Sequence, residues 1–348
     1  MNPQPSPQSP APGVVRFYSF LPQGDRLSED VLAGLALPQK SIPPKYFYDE
    51  QGCRLFEAIC ELPEYYLTRT ETAILRGNIA EIAQFVGPEA QLIEFGSGVQ
   101  AKTRILIQAL QTQLYVPIDI ARILIQALQT QLYVPIDIAM DTLRASSNEL
   151  SRRFPFLNIV GICADHTRPI VLPEFVGVPI RRKTVFFPGS TIGNFTPAEA
   201  LVFLRQARKM AGAGGVLLIG VDLKKDKVTL DAAYSDPKGV TAQFNLNLLH
   251  RINRELAGDF QVKRFRHKAF YDPILGRIEM HLESQYSQFA HVAGRRFDFA
   301  PGETIHTEIS CKYSIAEFQE LGKRAGFTPE KIWTDPEQLF SVHGMVAS

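Results

Sequence analysis

Residues 91–139 read "QLIEFGSGVQAKT RILIQALQTQLYVPIDIA RILIQALQTQLYVPIDIA", and the last two blocks, 104–121 and 122–139, are identical letter for letter. The apolar run ahead of "GSG" predicts a buried strand that closes on a glycine turn. Each repeat unit is one helix-length segment, "RILIQALQTQ", followed by a further strand, "LYVPIDIA". Outward from this stretch the alternation continues: "NIVGICAD", "TVFFPGSTIGN" and "GVLLIGVDL" read as strands, separated by helical segments such as "MDTLRASSNELSRRF" and "TPAEALVFLRQARKMAGAG". The second of these helices opens on a threonine cap with proline at its first position and closes on glycine. Short apolar strands alternating with helices predict an α/β domain built on a doubly wound sheet.

Two blocks break the alternation. "LSEDVLAGLALPQKSIPPKYFYDEQGCRLFEAICELPEYYLTRTE" reads as helices around Pro-rich turns, and the block from "KDKVTLDAAYSDPKGV" to "TEISCKY" runs from helix into alternating strands. The expected organisation is therefore a disordered leader at 1–13, a second α+β lobe from 14–70 and 225–312, and the sheet domain from 71–224 and 313–348. In the last segment "SIAEFQELGKRAGF" and "KIWTD" add a helix and a strand.

Composition narrows the function. The chain has 348 residues, 45% of them hydrophobic, and 37 basic against 36 acidic side chains, a net charge of +1. Basic clusters such as "VKRFRHK" are short and interrupted by apolar residues, so a nucleic-acid partner is not expected and a small neutral or zwitterionic substrate is. The four cysteines lack metal-ligand spacing and are expected as reduced thiols, with no metal. The leader has no apolar signal core, and no apolar stretch reaches membrane-spanning length. A cytoplasmic, monomeric protein that binds no membrane is the expectation.

At the carboxyl ends of the strands the sequence places polar residues where a doubly wound sheet binds its ligands. "EFGSGVQAKT" offers a glycine turn into a helix, but Ala101 stands where a dinucleotide fingerprint has its third glycine, which argues against an NAD-dependent oxidoreductase. The compact E-x-G-x-G form is more typical of methyltransferases; a plain strand–helix turn is the alternative. The Asp of "YVPID" can accept both hydroxyls of a ribose, and Asp165 of "CADHT" can accept from an adenine amino group, although an Asp there can also be a helix cap. Asn194 of "GSTIGN" can clamp an amino acid or simply stabilise a turn.

The repeat supplies two candidates for the ribose acid, Asp119 and Asp137. The first helix continues from the cofactor loop, and the second strand continues into "MDTLRASSNEL". Using both leaves "LYVPIDIA RILIQALQTQ" as an insertion at the sheet end away from the ligand, where closure entropy is small. That register favours Asp137; keeping copy one whole would crowd the ligand and would use Asp119.

The stretches "PPKYFYDEQG", "LPEYYLTRTE", "EFGSGVQAKTR", "GSTIGN", "AAYSDPKGVTAQFN", "RINREL", "RIEM" and "TEISCKY…WTDPE" occur in this order over nearly the whole chain. Together they resemble the ergothioneine-pathway histidine Nα-methyltransferases. The resemblance implies a Rossmann-like class I methyltransferase domain with a substrate-binding lobe, and S-adenosyl-L-methionine as cofactor. It implies that Gly96, Lys102, the repeat Asp, Asp165 and His166 hold that cofactor, His166 standing where the family usually has an aromatic residue. It further implies that Tyr66, Asn194 and Tyr234 hold the α-amino and carboxylate groups of L-histidine, that Tyr48 and Phe56 line the same pocket, that Glu308 and Ser310 read the imidazole, and that Met280 packs beside it. Tyr48 and Asn194 are the residues expected to serve the reaction itself.

The implied reaction is Nα-trimethylation of histidine to hercynine, the first step toward ergothioneine. Two other readings share the motifs: a binder inactivated by the duplication, and a methyltransferase for another amino acid such as tryptophan. Glu308 argues against the latter, because a buried carboxylate facing an indole or an aliphatic side chain is poorly paired.

Overall fold

A computed structural model describes residues 13–20, 26–96, 117–138, 140–165, 170, 172 and 181–348; of 117–120 and 142 it describes the backbone. Its strands in chain order are β1 (Val15–Ser19), β2 (Ala90–Phe95), β3 (Leu132–Asp137), β4 (Asn158–Cys163), β5 (Arg182–Phe187), β6 (Val216–Asp222), β7 (Phe265–Asp272), β8 (Arg277–Ser284), β9 (Gln288–Val292), β10 (Arg295–Phe299), β11 (Thr304–Cys311), β12 (Phe327–Thr334) and β13 (Phe340–Ala347). Eight of them form one sheet in the order β1-β4-β3-β2-β5-β6-β13-β12, while β11-β8-β7 make a three-stranded sheet and β9 with β10 a hairpin. Strands β1 to β6 run parallel, and β13 turns antiparallel onto β6. This is the doubly wound sheet expected, with a second α+β lobe.

The sheet is covered on both faces, and each strand feeds both cores by simple alternation. On β2, Leu92 packs into one core and Ile93 and Phe95 into the other; on β6, Val216 and Leu218 oppose Leu217, Ile219 and Val221. The helix Pro197–Ala211 begins as expected: Thr196 and Glu199 form a reciprocal capping box, Pro197 follows, and Gly212 ends it at φ 71°. Among the described residues no helix is long and apolar enough to cross a membrane.

Two expectations are corrected here. Residues 15–19, assigned to the second lobe, instead pair with β4 at the edge of the large sheet. The repeat also divides differently. Strand β3 comes from copy two, as expected, and lies between β2 and β4. The helix before it, Pro117–Ala127, ends in copy two as well, beginning with the last residues of copy one. It buries Ala121, Leu124 and Ile125 in the core, joined by Leu128 just beyond its end. Helix and strand of one copy are joined by a few residues, which keeps the loop to be closed short. Residues 97–116, which hold "SGVQAKT" and the "RILIQALQTQ" of copy one, lie outside the described residues. Asp119 sits in the first helical turn, not at a strand end.

Strand β3 carries Pro135 in its interior, where a proline cannot donate to the ladder. Its register with β4 accordingly runs from Leu132 and Tyr133 to Ile136 and Asp137, skipping Val134 and Pro135.

Candidate active site

The chain direction of strand addition reverses at β2: β3 and β4 lie on one side of it, β5 and β6 on the other. Ligands bind outside the carboxyl ends of strands at such a switch point. Gly96, following β2, holds φ 78° and would meet nothing within 4 Å if it carried a Cβ, so conformation and not crowding demands glycine there. Asp137 ends β3 and Asp165 lies just beyond β4, both buried. Lys45 approaches Asp165 at 3.4 Å and Asp30 at 2.9 Å. An open glycine turn and two buried carboxylates at successive strand ends fit a nucleoside with a ribose diol and an amino group. Lys102 and His166 lie outside the described residues.

Across the switch point, beyond β5, lies a cavity of about 70 Å³, lined by Tyr48, Phe56, Tyr65, Asn194, Tyr234, Phe244, Met280, Glu308 and Ser310 among others. At ~10–15 Å³ per water-sized group, it holds roughly five to seven such groups, far fewer than a nucleotide contains. Its aromatic wall is continuous: the Tyr48 and Phe56 rings meet edge to face at 5.7 Å, Phe56 and Tyr65 at 6.2 Å, and Tyr65 and Tyr234 at 6.3 Å. Such edge-to-face packing fixes the orientation of each ring.

The turn that carries Asn194 is built under strain. Gly189 at φ 75° and Ser190 at φ 55° precede the 3₁₀ turn Thr191–Asn194. Two buried groups hold it: Glu71 accepts from the Gly189 N–H at 2.8 Å, and Ser190 Oγ accepts from the Asp222 N–H at 2.9 Å. Burial pushes the Glu71 carboxyl up to about 8. The Glu of "LTRTE" thus acts on the "GSTIGN" turn, a link that sequence order does not reveal.

Behind Tyr234 and Ser310 lies a buried ionic network. Lys312 is wholly buried and donates to Asp222 Oδ2 at 2.7 Å, Ser310 Oγ at 2.8 Å and Tyr234 Oη at 3.0 Å, which uses all three of its protons. Burial opposes the charge on Lys312, but Asp222 outweighs it and holds the ammonium above the ordinary lysine value. Tyr234 donates its own proton to Ser310 Oγ at 2.9 Å. Ser310 Oγ therefore accepts twice, and its hydroxyl proton is left to donate into the cavity. Beside it the Glu308 carboxyl is raised to about 7 by burial, with Lys312 acting in the opposite direction. The cavity end thus presents one directed donor and one acceptor.

The structure gathers seven of the eight substrate residues expected from sequence around this cavity: Tyr48, Phe56, Asn194, Tyr234, Met280, Glu308 and Ser310. Tyr66 is the exception. Its hydroxyl donates to Asp222 at 2.8 Å and accepts from Lys225 at 2.5 Å, while its neighbour Tyr65 lines the cavity. Adjacent tyrosines at a helix start point in different directions, and "EYY" does not say which faces inward. Lys312, Asp222 and Phe244 were not foreseen; a lysine between "EISC" and "YS" of an apolar strand was the available signal.

A doubly wound sheet with buried carboxylates at strand ends on one side of its switch point and a small aromatic-lined cavity on the other is an architecture that small-molecule methyltransferases share. The model of the family described as "histidine-specific methyltransferase, SAM-dependent" matches residues 27–132 and 121–347, and the chain belongs to this family. The two matches overlap at 121–132, inside the repeat. It is 40% identical to the histidine N-alpha-methyltransferase of Mycolicibacterium smegmatis, over 91% of this chain and 94% of that protein. The protein of the same name from Mycobacterium tuberculosis is 38% identical over 89% of this chain and 91% of its own length. Ergothioneine biosynthesis protein 1 of Neurospora crassa is 29% identical over 85% of this chain and 32% of that protein. The cofactor is S-adenosylmethionine.

Proposed function

We propose that this chain methylates the α-amino nitrogen of L-histidine three times, giving the trimethylammonium betaine that leads toward ergothioneine. The observation that carries the reading is the pairing of Glu308 with the Ser310 hydroxyl at one end of the cavity. A neutral imidazole has one N–H and one lone-pair nitrogen, which that acceptor and that donor match. An indole has an N–H but no acceptor nitrogen, and would leave the Ser310 proton unpaired. The names of the relatives at 38–40% identity support the same substrate.

S-adenosylmethionine, when bound, supplies an electrophilic methyl group, and Gly96, Asp137 and Asp165 would hold it. The chain's own task is alignment and exclusion of water. The attacking amine must be neutral; model α-amino groups titrate at roughly 8. A desolvating cavity with the Asn194 side-chain oxygen as acceptor favours the free base. The Tyr48, Phe56 and Tyr65 rings accommodate the growing ammonium, each aromatic face attracting a cation by roughly 0.5–2 kcal/mol.

Mass spectrometry of the purified chain incubated with S-adenosylmethionine and histidine tests this directly, with histidine mass increments of one, two and three methyl groups expected. Cofactor binding without any methylated histidine would overturn the reading and leave a binder disabled by the duplication.

A further inference from the structure

On the strands that carry Met280 and Glu308, a second cluster stands outside the amino-acid cavity. His281 and His306 face each other in the β8–β11 register with ring centroids 5.0 Å apart, and Glu279 completes a group whose ligand atoms all lie within 4.8 Å of one another. We propose that Glu279, His281 and His306 form a divalent transition-metal site, zinc by its donor set, which fixes the backbone of Glu308.

Two histidines and one carboxylate with a further position open are a zinc ligand set. The details are those of prepared ligands. His281 Nε2 lies 3.0 Å from Glu279 Oε2, while its Nδ1 is held by Thr304 Oγ1 at 3.2 Å. His306 Nε2 is buried and has no partner, although a buried ring nitrogen is costly to leave unpaired. The His306 ring also interacts with the Glu308 backbone. A metal-binding histidine is normally oriented in this way, one nitrogen to the metal and the other to a backbone or side-chain partner. Arg277 occupies Glu279 Oε1 at 2.6 Å and leaves Oε2 for the ion. Bonds of about 2.0 Å at tetrahedral angles place donors about 3.3 Å apart, so with ligand atoms within 4.8 Å of one another closure requires a movement of at most about 1.5 Å.

The link to the cavity is short. The β11 register shifts between His306 and Glu308, so the strand is irregular at the residues that connect the cluster to the imidazole end of the cavity. A metal ion that fixes His306 fixes that irregularity, and with it the direction of the Glu308 carboxylate.

The test uses untagged, chelator-treated full-length chain titrated with CoCl2. The expected result is a visible absorption band of bound Co²⁺ that saturates at one equivalent, is displaced by ZnSO4, and is lost in both His306→Ala and Glu279→Gln. No band, or the same band in both variants, overturns the site. The coupling rests on the histidine reading and has a separate measurement: Zn²⁺ should lower KM for histidine several-fold in the parent chain and leave Glu279→Gln unaffected. An unchanged KM in a chain that binds Co²⁺ overturns the coupling, whereas absence of turnover in a chain that binds Co²⁺ counts against the substrate reading alone.

Discussion

The two halves of the active site are built by different means. The half facing the amino acid consists of side chains locked from behind: aromatic rings packed edge to face, a turn clamped by Glu71, and hydroxyls oriented by Lys312. Among the described residues, the half proposed to face the cofactor is what the sheet supplies anyway, a glycine turn and single carboxylates at strand ends. The difference teaches where tolerance lies. A site made of strand ends survives so long as each strand reaches its slot, even when the chain between strands is lengthened. A site made of interlocked side chains does not survive loss of one member.

The sharpest way to break this contrast is Lys312→Met. Removing one partner of a buried ion pair leaves an uncompensated charge and costs about 3–5 kcal/mol; Lys225, which also contacts Asp222 at 2.6 Å, should hold the loss near the lower end. Urea unfolding should show that loss, while the affinity of the folded variant for S-adenosylmethionine stays near the parent's. An unfolding midpoint equal to the parent's would mean that the substrate half does not depend on this ion.

Next in size is Glu308. Replacing it with Ala removes a charge-assisted hydrogen bond worth about 1.5–3 kcal/mol, so kcat/KM for histidine should fall roughly tenfold to a hundredfold with cofactor affinity unchanged. Because burial raises its carboxyl to about 7, the acceptor charge is present above that pH and is lost as pH falls through it. Loss of the neutral amine acts in the same direction from roughly pH 8 downward. The substrate imidazole, neutral only above roughly pH 6.5, adds its own ionisation in both proteins, so the acid limb of the kcat/KM profile should carry one ionisation more in the parent than in Glu308→Gln. Identical limbs in both proteins would place the titration elsewhere.

The smallest effect belongs to the cofactor half. Asp137→Ala should weaken S-adenosylmethionine binding about tenfold, in the range of one charged hydrogen bond, and Asp119→Ala should leave it unchanged. Equal losses in the two variants, read by calorimetry, would show that both copies take turns at the strand position.

Sequence disclosed the central sheet because β2 to β6 are apolar runs bounded by glycine, aspartate or asparagine. It concealed β1 and β13. The first, "VRFYS", alternates with exposed positions beside a Pro-rich leader, and the second, "FSVHGMVA", buries Ser341 and His343 among its apolar residues. The cavity residues were readable through motif resemblance, but the choice between Tyr65 and Tyr66 depends on how one helix start is set against β6, which no local pattern records. The Lys312 network joins three segments far apart in the chain, and its members look like ordinary surface residues until they are seen together.

The peptide "PIDIA" occurs at 117–121, where it opens a helix, and at 135–139, where its first residues end β3. Because the two copies have the same side chains, the slot between β2 and β4 cannot distinguish them by contacts. Only connectivity can, through which stretch of chain is looped out, and each doubling of a loop changes its closure free energy by about 0.6 kcal/mol. The protein is thereby close to degenerate in register at one strand. Degeneracy of this kind is lifted by any single-copy mutation. A strand-breaking residue introduced at 116 should reinforce the native register, whereas the same residue at 134 should drive copy one into the sheet. One substitution would thus have opposite signs at two positions that the sequence makes equivalent.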